Sequence, residues 1–219
     1  DRHDRADPVG PDIVDLLDQV GSALMDLVWV LSQQRLGKWF EGSLVHPGLA
    51  GGKNWPHMAF SPQTGLAYVP VINNAGVFTS GAVRFIKGQM YMGSAMSAVE
   101  NESFGHLKAV DVKTGQVRWE TRTRSPMLAG VLTTAGGIGF SGDPEGNFIA
   151  FDLATGEFLW HFQCGSGHHA SPITYELDGR QYVAVCVGWG GPGAKYRDGA
   201  PWFAGIPKGC SVYVFALPE

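Results

Sequence analysis

Apolar and polar positions alternate along most of this chain, and their period changes once. Between residues 12 and 31, Ile13, Leu17, Val20, Leu24, Leu27 and Leu31 recur at helical spacing, with Asp15, Asp18, Ser22 and Asp26 opposite them. Pro11 suits a first helical position, and Asp12 and Asp15 suit the positive end of a helix dipole. Residues 1–40 are therefore predicted to be helical and unlike the rest. From about residue 41 the period falls to two. Val110, Val112 and Val117 alternate with polar neighbours, as do Phe151, Leu153 and Phe158. Further strands are predicted at Ala59-Phe60 and Leu66–Val71 around the turn Ser61–Gly65, within 130–140, in a hairpin over 173–185, and at Val212–Ala216. Residues 73–105, rich in Gly, Ser, Ala and Met, read as an insertion within one sheet.

The two alternating stretches are copies of one pattern. Ala109–Trp119 and Ala150–Trp160, 41 residues apart, both read A-x-D-x-x-T-G-x-x-x-W. Asp and Thr bond nearby backbone amides, Gly accepts positive φ, and the small Ala lets a neighbouring sheet approach. The Trp is large enough to wedge between adjacent units and bury most of its ring. Together with the short strands upstream of the second copy, the period predicts about four strands per unit, a propeller blade. The fold class is all-β: a partial β-propeller of about three four-stranded blades with tryptophan-docking motifs over residues 41–219. Three blades alone leave sheet edges open, so a larger assembly is expected.

Composition narrows this only slightly. Thirty-one glycines and 13 prolines, with 16% charged residues, fit short strands joined by tight turns. A net charge of −4 without any Lys/Arg run gives no reason to expect nucleic-acid binding. Asp15, Asp18 and Asp26 interrupt the apolar stretch at 12–31, so no membrane span is predicted. Cys164, Cys186 and Cys210 have no C-x-x-C spacing and allow at most one disulfide; Cys186 reads as a buried strand residue.

Two loops carry candidate chemistry: Gly51-Gly52-Lys53-Asn54-Trp55-Pro56, entering a strand, and Gly188-Trp189-Gly190-Gly191, leaving one. Glycine lets backbone approach a ligand, Asn both donates and accepts, and Trp offers an aromatic face. The plainer readings are a strand-entry turn for Asn54 and core packing for Trp55 and Trp189. Lys53 is a solvated cation or a partner for an anion. His168 and His169 are neighbours that point to opposite faces of a strand and cannot chelate one metal without distortion. Asp143–Asn147 reads as a turn, and Met90, Met92 and Met96 as packing in the insertion.

From about residue 43 onward the chain resembles the C-terminal part of a pyrroloquinoline quinone (PQQ)-dependent alcohol dehydrogenase, an eight-bladed propeller quinoprotein. The resemblance lies in Gly51–Pro56 followed by Ser61–Pro70, in both repeat copies, and in Gly130–Phe140. Gly165–Gly167 through Pro172–Tyr175, Asp178–Val185 and Gly188–Gly191 complete it. It implies that Asn54 hydrogen-bonds the rim of the quinone, that Trp55 lines the pocket, and that Gly188 and Trp189 close the other side, Trp189 near the alcohol. It further implies a periplasmic enzyme that oxidises an alcohol to an aldehyde or ketone, uses a calcium ion or lanthanide, and passes electrons to a cytochrome c-type acceptor. In the family the metal ligands, the catalytic Asp, an adjacent cysteine pair and a stacking tryptophan lie in earlier blades. No counterpart is found here, so catalytic and metal-ligating residues are expected from the remaining blades or a second chain. Alone, this chain is not expected to turn over alcohol. The competing reading is a non-enzymatic propeller scaffold or binding module that shares only the tryptophan repeat.

Overall fold

The computed structural model describes residues 42–80, 85–89, 91, 94–99, 103–189 and 205–217. The helical segment expected at 1–40 lies outside the described residues, as do Met90, Met92, the side chain of Met96, and Gly190 and Gly191. Among the described residues every regular element is a β-strand.

The strands form four antiparallel sheets. The first repeat copy sits in a four-stranded sheet ordered β2 (Ala59–Ser61), β3 (Leu66–Asn73), β6 (Phe104–Asp111), β7 (Val117–Thr123). The second sits in a meander of β8 (Leu132–Thr133), β9 (Ile138–Gly142), β10 (Asn147–Asp152) and β11 (Phe158–Gln163). A third sheet holds β12 (Ile173–Leu177), β13 (Arg180–Gly188) and β14 (Cys210–Ala216). Among the described residues it has three strands where four were expected. The hairpin β12–β13 turns on two residues, Asp178 and Gly179, with φ of 53° and 75°. Positive φ at both centres is what a type I′ turn needs to match strand twist. The insertion leaves β3 paired directly to β6, as its composition suggested. Within it β4 (Gly76–Ser80) and β5 (Ser94–Ala98) form a separate sheet with β1 (Ser43–Val45).

Turn chemistry in the two repeats is the same. Asp111 Oδ1 accepts the amides of Lys113 and Thr114 at 3.0 and 3.1 Å, and Asp152 Oδ1 accepts those of Ala154 and Thr155 at 2.8 Å each. The Thr114 and Thr155 amides hold the two carboxyls below the usual aspartate range. In each copy a shift in register separates the Ala from the next residue, Ala109/Val110 and Ala150/Phe151, and tightens the local twist.

Two apolar layers lie between the three successive sheets. Leu66, Tyr68, Leu107, Ala109, Val131, Phe151 and Leu153 fill the first. Phe148, Cys164, Val183, Val185 and Val187, flanked by Tyr213 and Phe215, fill the second. The first layer is pinned by polar contacts as well. Tyr68 Oη and Trp119 Nε1 both donate to the Leu153 carbonyl, at 2.9 and 3.1 Å, and Thr121 Oγ1 donates to the Gly156 carbonyl at 3.0 Å. Trp119 thus docks on the turn of the next blade.

Trp160 behaves differently. It is 42% exposed, with Phe148 and Phe215 edge-on at 6.5 and 5.4 Å. The expected burial fails here because no Asp–Thr–Gly turn lies against it among the described residues. Cys186 also departs from expectation: it is exposed, whereas Cys164 is buried, and all three cysteines are free thiols. Alternation places Cys186 on the outer face of β13, a face with no sheet against it among the described residues.

Candidate functional site

Antiparallel order sends the short turns at 62–65, 112–116, 134–137, 153–157 and 178–179 to one end of the sheets. The segments that enter β2, β8 and β12, and the one that leaves β13, gather at the other. Cross-sheet bonds hold that second end together. The Val131 amide donates to the His57 carbonyl at 2.9 Å, His57 Nδ1 and Ser171 Oγ share a bond of 2.8 Å, and Ser125 Oγ donates to Glu145 Oε2 at 2.5 Å.

Asn54 and Trp55 sit on the segment entering β2. Asn54 Oδ1 accepts the Trp55 amide and its Nδ2 donates to the Ala50 carbonyl, each at 2.8 Å. Those bonds shape the loop, as the strand-entry reading required. An amide has two donor hydrogens and two acceptor lone pairs, so one of each stays available on this exposed side chain. Trp55 leaves 55% of its surface exposed, a large apolar ring presented outward. Lys53 is half-buried and turned back onto its own loop. Its Nζ donates back to the carbonyls of Asn54 and Pro56, and burial holds its ammonium below the usual lysine value.

Gly188 is the last residue of β13, paired with Cys210, and Trp189 begins the loop that leaves it. A Cβ on Gly188 would fall 2.0 Å from the Gly209 carbonyl oxygen, so close packing at the start of β14 accounts for glycine there. Trp189 is 8% exposed, and its indole covers Gly167 so closely that a Cβ on Gly167 would meet it at 2.1 Å. Trp189 therefore lies deep in the loop cluster while Trp55 forms its rim.

The two loops are joined by a residue to which the sequence reading gave no functional role. His169 meets Trp55 edge to face, ring centres 4.4 Å apart at 85°, and meets Trp189 at 5.9 Å and 47°. Its neighbour turns the opposite way, as alternation required. His168 is fully buried, stacked 5.7 Å from Phe148, with neither ring nitrogen in a hydrogen bond of good geometry. Burial pushes its pKa down to about 4. Asp143–Asn147 is the turn the sequence suggested: Asp143 accepts the amide and the side-chain nitrogen of Asn147, each at 2.8 Å. Burial raises the Asp143 carboxyl above the usual range despite both bonds.

The donor set suits one wall of a flat, polar-rimmed ligand: an available amide, an exposed indole and an imidazole between two indoles. It does not suit a metal ion. Among the described residues no three His, Cys, Asp or Glu side chains converge on a common point. Nor is any helix among them long and apolar enough to cross a membrane.

Residues 73–183 match the PQQ family described as the glucose/ethanol/alcohol dehydrogenase β-propeller domain. A quinoprotein ethanol dehydrogenase of Pseudomonas putida is 42% identical over 177 residues, 80% of this chain and 28% of that protein. A 1-butanol dehydrogenase (quinone) of Thauera butanivorans is 37% identical over 82% of this chain and 29% of its own length. Among solved structures, a europium-containing methanol dehydrogenase superposes with a TM-score of 0.72 at 32% identity, over 80% of this chain and 35% of that one. The quinohemoprotein alcohol dehydrogenase of Comamonas testosteroni gives 0.70 at 32%, over 82% and 29%. The chain therefore spans under a third of the length of these curated relatives. By the family match over residues 73–183, the sequence identity and the superposition, the chain belongs to the PQQ-dependent glucose/ethanol/alcohol dehydrogenase β-propeller family.

Proposed function

We propose that this chain supplies one wall of the quinone pocket of a PQQ-dependent alcohol dehydrogenase that oxidises an alcohol to an aldehyde or ketone. The observation that carries the reading is the convergence of the Asn54–Trp55 and Gly188–Trp189 loops on His169, at the end of the sheets away from the short turns. Bound PQQ supplies a two-electron acceptor for the alcohol's hydride equivalents. Asn54 would donate its available amide hydrogen to the polar rim of the quinone and so orient it in its plane. Trp55 would cover apolar ring surface and exclude water, while Trp189 backs the wall from behind. Gly188 takes part through its backbone, since close packing against Gly209 fixes the path of the loop.

The described residues give no step of proton removal or metal activation. The base, and the ligands of the calcium ion or lanthanide that the family implies, fall to the remaining blades or to a second chain. The outer face of the third sheet offers those blades a docking surface: Ile173, Tyr175, Leu177, Val212 and Val214 lie exposed on one side of it. A periplasmic setting and a cytochrome c-type electron acceptor complete the proposal; a relative from Thauera butanivorans is named 1-butanol dehydrogenase (cytochrome c). The test is titration of the 219-residue chain with PQQ, followed by tryptophan fluorescence. Saturable quenching that weakens in Asn54→Ala supports the pocket. Absence of quenching favours a scaffold that keeps the fold without the cofactor.

A further inference from the structure

Segment 167–171 touches both tryptophan loops. The Gly188 amide donates to the Gly167 carbonyl at 3.0 Å, and Gly167 makes room for the Trp189 indole. Two residues on, His169 contacts Trp189 and Trp55 together, and two further on Ser171 bonds His57 at 2.8 Å. Trp55/His169 and His57/Ser171 are thus successive side-chain pairs between two neighbouring segments. The Val131 amide fixes the His57 end of this splint through its backbone.

The two tryptophans depend on it unequally. Trp189 is buried and seated on Gly167, so it keeps a bed without the imidazole. Trp55 is 55% exposed, and the hydrogen bonds of its loop reach its backbone but not its ring. The edge-on contact at 4.4 Å is what fixes the plane of that indole.

We propose that His169 is a positioning residue that sets the plane of Trp55 against Trp189 and so fixes how the rim closes on a flat ligand. The proposal rests on the quinone-pocket reading for the ligand and goes beyond it in naming the residue that pre-organises the wall. Ordering an exposed aromatic ring before a ligand arrives removes part of the entropy cost of binding. An aromatic pair of this kind corresponds to roughly a 3- to 10-fold change in affinity.

The experiment uses the 219-residue chain labelled with 5-fluorotryptophan, with the Trp55 and Trp189 resonances assigned through Trp55→Phe and Trp189→Phe. In His169→Ala the Trp55 resonance is expected to shift and to be broadened more by a soluble paramagnetic probe, with the Trp189 resonance nearly unmoved. PQQ affinity is expected to fall by roughly 3- to 10-fold with the urea midpoint unchanged. His169→Phe, which keeps a flat ring, is expected to restore both readouts. An unshifted Trp55 resonance in His169→Ala overturns the inference, as does unchanged PQQ affinity while Asn54→Ala weakens binding. Failure of the unsubstituted chain to bind PQQ overturns the pocket reading instead and takes the ligand-closing role with it; the ligand-free resonances then still decide whether His169 positions Trp55.

Discussion

The Trp119 indole lies directly on Gly156, at a distance that would bring a Cβ there to 2.5 Å from Cε3. Gly156 also has φ of +76°, and its counterpart in the other copy, Gly115, has φ of +70° with nothing within 4 Å of the same position. The pair separates backbone strain from blade docking.

Gly115→Ala is expected to cost about 1–2 kcal/mol, the left-handed backbone penalty alone. Gly156→Ala adds the collision with Trp119, a further ~1–3 kcal/mol. Urea midpoints at constant m-value measure both. Equal losses at the two glycines would show that the docked indole contributes nothing beyond turn geometry.

His168 makes stability depend on pH. Its folded-state pKa, about 4, lies below the ordinary value of 6.5, so between these limits the unfolded chain binds the extra proton. The stability it secures is complete above about pH 6.5 and declines as the pH falls towards 4. A shift of this size corresponds to about 3 kcal/mol. His168→Phe, which keeps the stack on Phe148, is expected to flatten the unfolding free energy across that window. A profile identical to that of the unsubstituted chain would rule His168 out as its source.

The thiols differ by burial. Cys186 and Cys210 are exposed, while burial raises Cys164 to about 11, which leaves almost no thiolate at neutral pH. A maleimide or aromatic disulfide reagent is expected to modify two thiols in the folded chain and the third only in denaturant. Mass spectrometry of the labelled peptides checks this. Rapid modification of Cys164 in the folded chain contradicts the packing of the second apolar layer.

The outer face of the third sheet predicts association. Register places Ile173, Tyr175, Cys186, Val212 and Val214 on one side, and Ile173 and Val212 are 60% and 67% exposed. A contiguous apolar face of this kind marks an interaction surface. The chain alone is expected to bind an apolar dye and to self-associate in sedimentation velocity as its concentration rises. Val212→Lys with Val214→Lys is expected to lower both signals. A dye-silent, concentration-independent monomer argues against an open face.

Local chemistry was legible in the sequence wherever its partners are near in the chain. Asp111 and Asp152 bond amides two and three residues on, so the spacing D-x-x-T-G carries the turn by itself. The Asp178-Gly179 hairpin was legible for the same reason, and the insertion between β3 and β6 through its composition. The loops around Asn54 and Trp189 stood out by their Gly, Asn and Trp residues, and that they face one pocket was implied only by family resemblance; the part of His169 between them was not visible. Trp55, His169 and Trp189 are separated by 114 and 20 residues, and no spacing rule links them.

Alternation shows which side of a strand a residue takes, and no more. It placed Trp160 and Cys186 on apolar faces, but whether a second sheet covers a face depends on what packs there. Trp119 meets the Gly156 turn, whereas Trp160 stacks on Phe162 of its own strand, meets Phe148 and Phe215 edge-on and stays 42% exposed. By itself the sequence determined the repeat, its turns and the strands that flank them, though not β4 and β5 within the insertion, because hydrogen bonds and φ preferences act over a few residues. The tertiary structure decided which indole is docked, which thiol is buried and that His169 joins the two pocket loops, because burial and ring contact arise only between segments brought together by folding.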